Sequence, residues 1–305
     1  SRSRRTDMTL PDDTVPFEDN RRRLLGLAYR ILGSLAEAED AVQDTYLKWR
    51  DADRTAIESP AAWLTAVCTR RCLDLLKAAR RQRVDYVGTW LPEPVHTATD
   101  DTPESSLELA SSLSTAFLLL LERLSPKERA AYLLHDIFDR PYGEVAVVLG
   151  VQEAACRKLV SRARAGVDRP ATRYVASAER QEALLAAFRS ALDTGHTDRL
   201  SALLADDIAL SADGGGKAAA LGQVLTGRQR VLDFVTGPLR GFWAAYRWQP
   251  AEINGGVGAL LLEPDGGVAA AVSFGYDAVG RVDGIFVMRN PDKLARLERS
   301  GVAVA

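Results

Sequence analysis

Arg140-Pro141-Tyr142-Gly143-Glu144-Val145-Ala146-Val147-Val148-Leu149, then Gly150-Val151, then Gln152-Glu153-Ala154-Ala155-Cys156-Arg157-Lys158-Leu159-Val160-Ser161-Arg162-Ala163-Arg164 decides how the middle of this chain folds. Pro141 stands where a helix start loses nothing by lacking an N–H, and Gly150 stands where a helix stops in the left-handed region. The reading is a short helix through Leu149, a tight turn, and a second helix over Gln152–Ala165 ending at Gly166. That is the layout of a helix-turn-helix, whose second helix enters the major groove. Gln152 and Arg157 carry the groups that grip adenine and guanine edges, Glu153 can accept from cytosine, and Lys158 adds a cation. Arg162 and Arg164 suit phosphates. The competing reading is a solvated basic helix face.

Upstream, Leu107–Leu124 reads as helical, and Leu124-Ser125-Pro126-Lys127-Glu128 starts a helix ending near Phe138: N-cap, Pro at the first position, Glu at the third. Phe17–Trp49 reads as two helices broken at Gly33-Ser34, with Ser34 and Glu37 in the form of a capping box. Its second helix holds Glu39, Asp40, Gln43, Asp44 and Trp49. A surface this acidic repels phosphate, which points to a protein-binding face. Ser59-Pro60 opens a helix to about Arg83. Trp63 lies near its start, and Arg70, Arg71, Lys77, Arg80, Arg81 and Arg83 stand against the single acid Asp74. Aromatic platforms among cations suit unstacked single-stranded bases, whereas Trp63 alone also fits a core position. Val84–Pro103, with Pro92, Pro94, Pro103 and Gly88, is a linker. A free linker has little use for Trp90 and Leu91, so this one is expected to dock.

From Ala178 the composition shifts. Helices at Ala178–Thr194, Thr197–Leu204 and Gly227–Phe234 surround a bend at Asp213-Gly214-Gly215-Gly216-Lys217. Strands are expected at Trp243–Pro250, Ala251–Leu262, Val268–Tyr276 and Arg281–Met288, and Asn290-Pro291-Asp292-Lys293-Leu294 caps a last short helix. Helices followed by a run of antiparallel strands define an α+β unit.

The composition is 47% apolar, 26% charged and 7% aromatic with net charge −2, which excludes a largely disordered or collagen-like chain. No apolar run reaches the roughly 18–20 residues of a membrane span. The opening Ser1-Arg2-Ser3-Arg4-Arg5 reads as a disordered basic arm or the remnant of a tag. An odd number of cysteines, Cys68, Cys72 and Cys156, favours a reducing cytoplasm. No metal-ligand spacing exists: Cys68 and Cys72, four apart on one helix, read as small apolar fillers, and neither a metal nor a cofactor is expected. Asp213–Lys217 is not a P-loop.

Taken together these residues resemble the extracytoplasmic-function (group 4) sigma factors of bacterial RNA polymerase. The resemblance rests on Leu27–Ser34 with Ala36–Trp49, Pro60-Ala61-Ala62-Trp63-Leu64 through Asp74, Leu124–Arg129, and Arg157–Arg164. Trp90-Leu91-Pro92-Glu93-Pro94, Asp213–Lys217 and Asn290–Leu294 resemble the marks of the group with a C-terminal SnoaL-like extension of the nuclear-transport-factor-2 superfamily. The implied fold is multidomain: two all-α domains (sigma domain 2 and a sigma domain 4 helix-turn-helix), then an α+β SnoaL-like cone. The implied limits are an arm to residue 16, domain 2 over 17–86, linker over 87–106, domain 4 over 107–172, the cone over 178–297 and a tail over 298–305. The chain departs from the pattern at Thr69-Arg70, where many members carry Arg-Asn, and at Ala155-Cys156-Arg157, where many carry Thr-Val-Lys.

The resemblance implies a cytoplasmic initiation factor without catalysis of its own. Its partners are core RNA polymerase, at Glu39, Asp40, Gln43, Asp44 and Trp49, and promoter DNA. Trp63, Arg70, Arg71, Asp74, Lys77 and Arg80 serve the minus-ten strand; Gln152, Glu153, Arg157, Lys158, Arg162 and Arg164 serve the minus-thirty-five duplex. The extension regulates in cis through Trp90, Pro92, Asp213, Gly214, Gly215, Gly216, Lys217, Asn290, Pro291, Asp292, Lys293 and Leu294. Neither a membrane nor a separate anti-sigma protein is expected. The rival reading gives the SnoaL-like domain a pocket ligand: either a sensed small molecule, or the substrate of a cyclase or isomerase using an Asp/His pair drawn from Asp206, Asp207, Asp213 and His196.

Overall fold

The computed structural model describes residues 14–83, 85–97, 112–167 and 176–299. Most of the expected N-terminal arm, the linker from Thr99 to Pro103, the helix start at Leu107 and the tail after residue 299 lie outside them. The chain divides into two compact units: residues up to Ala78 with Pro126–Ala163, and Ala79–Ser125 with Arg164 onward.

The first unit is helical. Helix α1 (Val15–Leu32) ends on Gly33 at φ 70°, and Ser34 caps α2 (Leu35–Asp51) by accepting from the Glu37 N–H. Helix α3 (Pro60–Arg83) turns Leu64, Cys68, Cys72 and Leu76 inward along one stripe. Both cysteines are fully buried. Cys72 shares a hydrogen bond with Cys68, and that bond together with burial pushes its thiol well up, so the pair packs as small apolar side chains. After a further helix, α4 (Thr115–Leu121), which belongs to the second unit, α5 (Pro126–Tyr132) runs into a π-helical turn at Leu133–Ile137. Helix α6 (Tyr142–Leu149) stops at Gly150, φ 61°, and α7 (Glu153–Val167) continues past the expected end at Gly166. Cys156, Val160 and Ala163 form the buried stripe of α7, at the spacing of one helical face.

The second unit is α+β. Helices α8 (Ala178–Thr194) and α9 (Asp198–Leu203) precede β1 (Leu204–Asp213). Then follow β2 (Leu225–Thr226), α10 (Arg228–Phe234), a π-helical turn at Val235–Leu239 and α11 (Arg240–Trp243). Strands β3 (Arg247–Ile253), β4 (Gly256–Leu262), β5 (Val268–Tyr276) and β6 (Val282–Met288) complete the sheet, and α12 (Pro291–Arg299) closes the unit. The strand order is β2-β1-β6-β5-β4-β3, and β1 runs parallel to β6. The run β3–β6 is antiparallel as expected, and β1, which the expected strands did not include, lies parallel to β6 and makes the sheet as a whole mixed. The helical excursion between β1 and β3 returns the chain to the far edge, which leaves β1 beside β6 in the same direction.

Two further corrections concern strand ends. Trp243 closes a helix instead of opening a strand, since its indole fills the helix-side core beside Phe188 and Trp248. The turn between β3 and β4 falls at Asn254-Gly255, with φ 54° and 72°, and not at Pro250. Asn-Gly is the pair that such a two-residue hairpin turn demands. Pro250 is tolerated inside β3 because β3 is an edge strand.

Residues alternate between the faces of the sheet, and each face has its own core. Leu210, Ala259, Leu261, Val272, Ile285 and Val287 meet Phe188 and Trp243 on the helix side. Leu260, Leu262, Ala271, Phe286 and Met288 meet Leu294 and Leu297 of α12 on the other, together with Leu91 of the expected linker.

Candidate functional site: a reading helix, a basic helix and a latched linker

The outward face of α7 carries Arg157, Lys158, Arg162 and Arg164, all exposed, with Gln152 and Glu153 at its start. The inward stripe fixes this face by default, because turning the helix would bury the cations. Glu153 and Arg157 are one turn apart and paired at 2.6 Å, and the Arg157 guanidinium lies 4.3 Å from the Tyr142 ring centroid. The helix thus rests this candidate base-reader on Glu153 and Tyr142.

On α3, Arg70, Asp74 and Lys77 are exposed, and Asp74 pairs with Lys77 at 3.3 Å. The Arg80 side chain lies outside the described residues. Arg71 reaches Asp44 of α2 at 2.6 Å, so two residues given to different partners are one ion pair here. Glu39, Asp40 and Gln43 stay on the open face of α2. Trp49, grouped with them from the sequence, is instead buried and packs on Trp63 with ring centroids 5.6 Å apart.

The first unit also brings α3 against the helix-turn-helix. Arg70 donates from Nη2 to the Val147 carbonyl (2.9 Å) and from Nε to the Val148 carbonyl (3.0 Å). These are last-turn carbonyls of α6, at the negative end of its dipole; that of Val147 also accepts from the Gly150 N–H at 3.3 Å. Arg129 of α5, fully buried, donates from Nη1 to the Ile31 carbonyl at the end of α1 (2.7 Å). The guanidinium groups of Arg23 and Arg30 lie over the Phe138 ring. A cleft of about 320 Å³ runs between α3 and α6, lined by Trp63, Ala66, Arg70, Glu144 and Val148 among others.

In the second unit the linker is latched onto the sheet. Asp213, the last residue of β1, is 0% exposed and accepts four hydrogen bonds. Its Oδ1 takes the Tyr86 hydroxyl (2.6 Å) and the Gly215 N–H (2.9 Å); its Oδ2 takes the Leu91 N–H (2.9 Å) and Lys293 Nζ (2.7 Å). Lys293 also donates to the Leu91 carbonyl (2.6 Å) and lies 4.5 Å from the Trp90 ring. Asn290 donates to the Tyr86 hydroxyl and accepts from the Asp292 N–H, which starts α12. Burial and the neighbouring Asp213 push the Tyr86 hydroxyl upward, so it stays a donor. Lys217 pairs with Asp292, and Glu93 with Arg296 at 3.5 Å. Pro92 and Leu294 are buried, Pro291 is exposed, and Gly214 closes against the Ala218 carbonyl. The linker is held at its other end too: Val95 and Asn254 exchange bonds of 2.8 and 3.1 Å, and Thr97 donates to Glu252 Oε1 at 2.7 Å.

The glycines are needed where the chain crowds this latch. Gly215 sits at φ 58°, and a Cβ there would lie 2.2 Å from Asn290 Nδ2; Gly216, at φ 70°, abuts Val87. Gly215→Ala should therefore destabilise the second unit by about 2–4 kcal/mol. Denaturant unfolding of the full chain checks this, and an unchanged midpoint would refute it.

The residues offered for acid–base catalysis do not assemble. His196 is exposed in a loop, Asp206 pairs on the surface with Arg228 at 2.9 Å, Asp207 is exposed, and Asp213 belongs to the latch. Among the described residues no helix is long and apolar enough to cross a membrane, and no three His, Cys, Asp or Glu side chains form a metal-binding group.

Two helical regions joined by a linker, the second a helix-turn-helix with an outward basic helix, have the build of a transcription initiation factor of the sigma-70 type. Family models bear this out: Sigma-70 region 2 matches residues 16–82, and Sigma-70, region 4 matches residues 114–165. The chain belongs to the extracytoplasmic-function RNA polymerase sigma factors. It is 38% identical over 288 residues to the ECF RNA polymerase sigma factor SigJ of Mycobacterium tuberculosis, covering 91% of each chain. The ECF RNA polymerase sigma factor SigG of the same species is 34% identical over 216 residues, 62% of this chain and 58% of that one. The crystal structure of Mycobacterium tuberculosis SigJ superposes with a TM-score of 0.72 at 34% identity, covering 92% of this chain and 97% of that one. As a sigma factor the protein binds core RNA polymerase and promoter DNA and directs transcription initiation. Sigma factors are not enzymes in the usual sense, and the cyclase reading is not favoured.

Proposed function

We propose that this sigma factor rests in a closed form in which its two DNA-reading parts are tied together through Arg70, and that its C-terminal domain governs opening in cis through the linker. In this reading Glu39, Asp40, Gln43 and Asp44 dock on the polymerase, with Trp49 holding that helix from beneath. Trp63, Arg70, Arg71, Asp74, Lys77 and Arg80 handle the minus-ten strand, and Gln152, Glu153, Arg157, Lys158, Arg162 and Arg164 the minus-thirty-five duplex.

The carrying observation is Arg70 on the carbonyls of Val147 and Val148. Elements named for positions −10 and −35 lie about 25 base pairs apart, ~85 Å at 3.4 Å per pair. Two surfaces within hydrogen-bond distance of each other cannot lie on both, so promoter binding requires them to part. The linker joins them, and the Asp213 latch sets how much of it is free to extend. That supports Trp90, Pro92, Asp213–Lys217 and Asn290–Leu294 as the regulatory contact. In this reading the control lies within the one chain.

Spin labels at Glu58→Cys on the N-terminal side of α3 and Ser161→Cys on α7 test this. Their separation should lengthen by several tens of ångströms when the full chain joins core polymerase on promoter DNA. An unchanged separation in a complex that makes transcript would sink the closed-form reading.

A further inference from the structure

On the helix side of the sheet, β1, β6, α10 and α11 border an open pocket of about 250 Å³. Its walls are apolar, with Leu210, Ala212, Phe234, Trp243 and Val287 among them. One charged side chain enters it, Arg289, from the position after β6. Arg289 donates from Nη1 to the Ala219 carbonyl at 2.9 Å, and its guanidinium lies 4.5 Å from the Phe242 ring centroid. Its Nε is shielded from solvent and has no hydrogen-bond partner, and no carboxylate pairs with it among the described residues. Trp243, 2% exposed, has an Nε1–H in the same condition. Arg289 thus sets a cation without a carboxylate partner among the described residues at the edge of an apolar pocket, which is costly. An anion with an acceptor oxygen at the outer edge of the guanidinium would offset that charge, and the other walls are apolar.

The geometry points to a site for a small organic monocarboxylate with an apolar body, its carboxylate on the free edge of Arg289 and its body among Phe234, Trp243 and Val287. A guanidinium fork matches a carboxylate. An apolar cavity of about 150 Å³ admits benzene, so the larger volume here takes a ring with a short chain or a medium acyl chain.

The site has a physical route to the linker, and this part of the proposal rests on the cis-regulatory reading. Successive residues of a strand face opposite sides. Ala212 lines the cavity and Asp213, next in sequence, holds the linker. Arg289 lines the cavity and Asn290, next in sequence, holds Tyr86. The two strand ends are tied by Arg289 N–H to the Asp213 carbonyl at 2.7 Å. An acid on Arg289 therefore acts one peptide away from both latch residues, and by linkage latch and ligand change each other's stability by the same factor.

Calorimetric titration of the full chain with octanoate, 4-phenylbutyrate and the uncharged octanamide tests binding without polymerase. At least one acid should bind, at least tenfold more tightly than octanamide. Arg289→Gln should erase that preference, and Ala220→Phe, at the cavity rim, should weaken all three. Circular dichroism of each variant establishes that it folds. Equal binding of octanoate and octanamide to the unaltered chain would overturn the anion site, and no binding of any probe at millimolar concentration would overturn the site itself. Protease cleavage within residues 86–97 should change at least threefold on saturation with the bound acid. Binding with unchanged cleavage would overturn the coupling alone, and the spin-label separation on promoter DNA judges the closed-form reading independently.

Discussion

Asp213→Ala should lower the unfolding temperature of the second unit by about 6–20 °C and speed protease cleavage within residues 86–97 at least tenfold. The carboxylate is the shared acceptor of Tyr86, Leu91, Gly215 and Lys293, and it is fully buried. Removing it leaves the Lys293 ammonium half-buried without its anion and two backbone N–H groups unmet. Breaking one side of a buried pair costs about 3–5 kcal/mol, and each kcal/mol is roughly 2–4 °C in a domain of this size. Asp213→Asn keeps the shape and one acceptor but sets an NH2 against donors, so it should fall between. A linker no more cleavable in Asp213→Ala than in the unaltered chain would mean that the latch does not hold it. With core polymerase, run-off transcription by the same variant should differ from that of the full chain. Equal output would detach the latch from regulation.

Arg129→Ala should open the first unit without polymerase. Its side chain spans from α5 to the Ile31 carbonyl at the end of α1, fully buried. Truncation leaves that carbonyl unmet and a cavity behind it, together about 3–5 kcal/mol. The 58–161 label separation should then broaden toward long distances in the free chain. Arg129→Lys keeps a charge and loses the fork, and should recover part of the closed population. A distribution identical to the unaltered chain would show that this bond does not hold the two regions together.

Much of the helical half was legible because its punctuation is local. Ser34, Gly33, Pro126 and Gly150 end or start helices for reasons contained within four residues, and α7 shows its inward stripe at one helical period. Asn254-Gly255 is an equally local signal and outweighs Pro250, whose tolerance depends on β3 being an edge strand, a fact of topology. Gly237-Pro238 looks like a breaker, yet it sits inside a π-helical turn that carries Trp243 into the core. Trp49 reads as surface because it stands among charges on α2; only the partner ring of Trp63 shows it to be interior. The glycines after Asp213 announced a bend, and the resemblance assigned it to the linker. That its carboxylate is buried against a lysine 80 residues away could not be read from spacing. The bond from Arg70 to α6 is hidden for the same reason: its partner is a backbone oxygen, which leaves no trace in side-chain composition.

The pose of Arg157 has one more effect. Held by Glu153 and resting on Tyr142, it is already satisfied before any duplex arrives. If α7 reads the minus-thirty-five duplex as proposed, a base that draws Arg157 away must offset both contacts, and sequence lacking the right edge meets a partly neutralised surface.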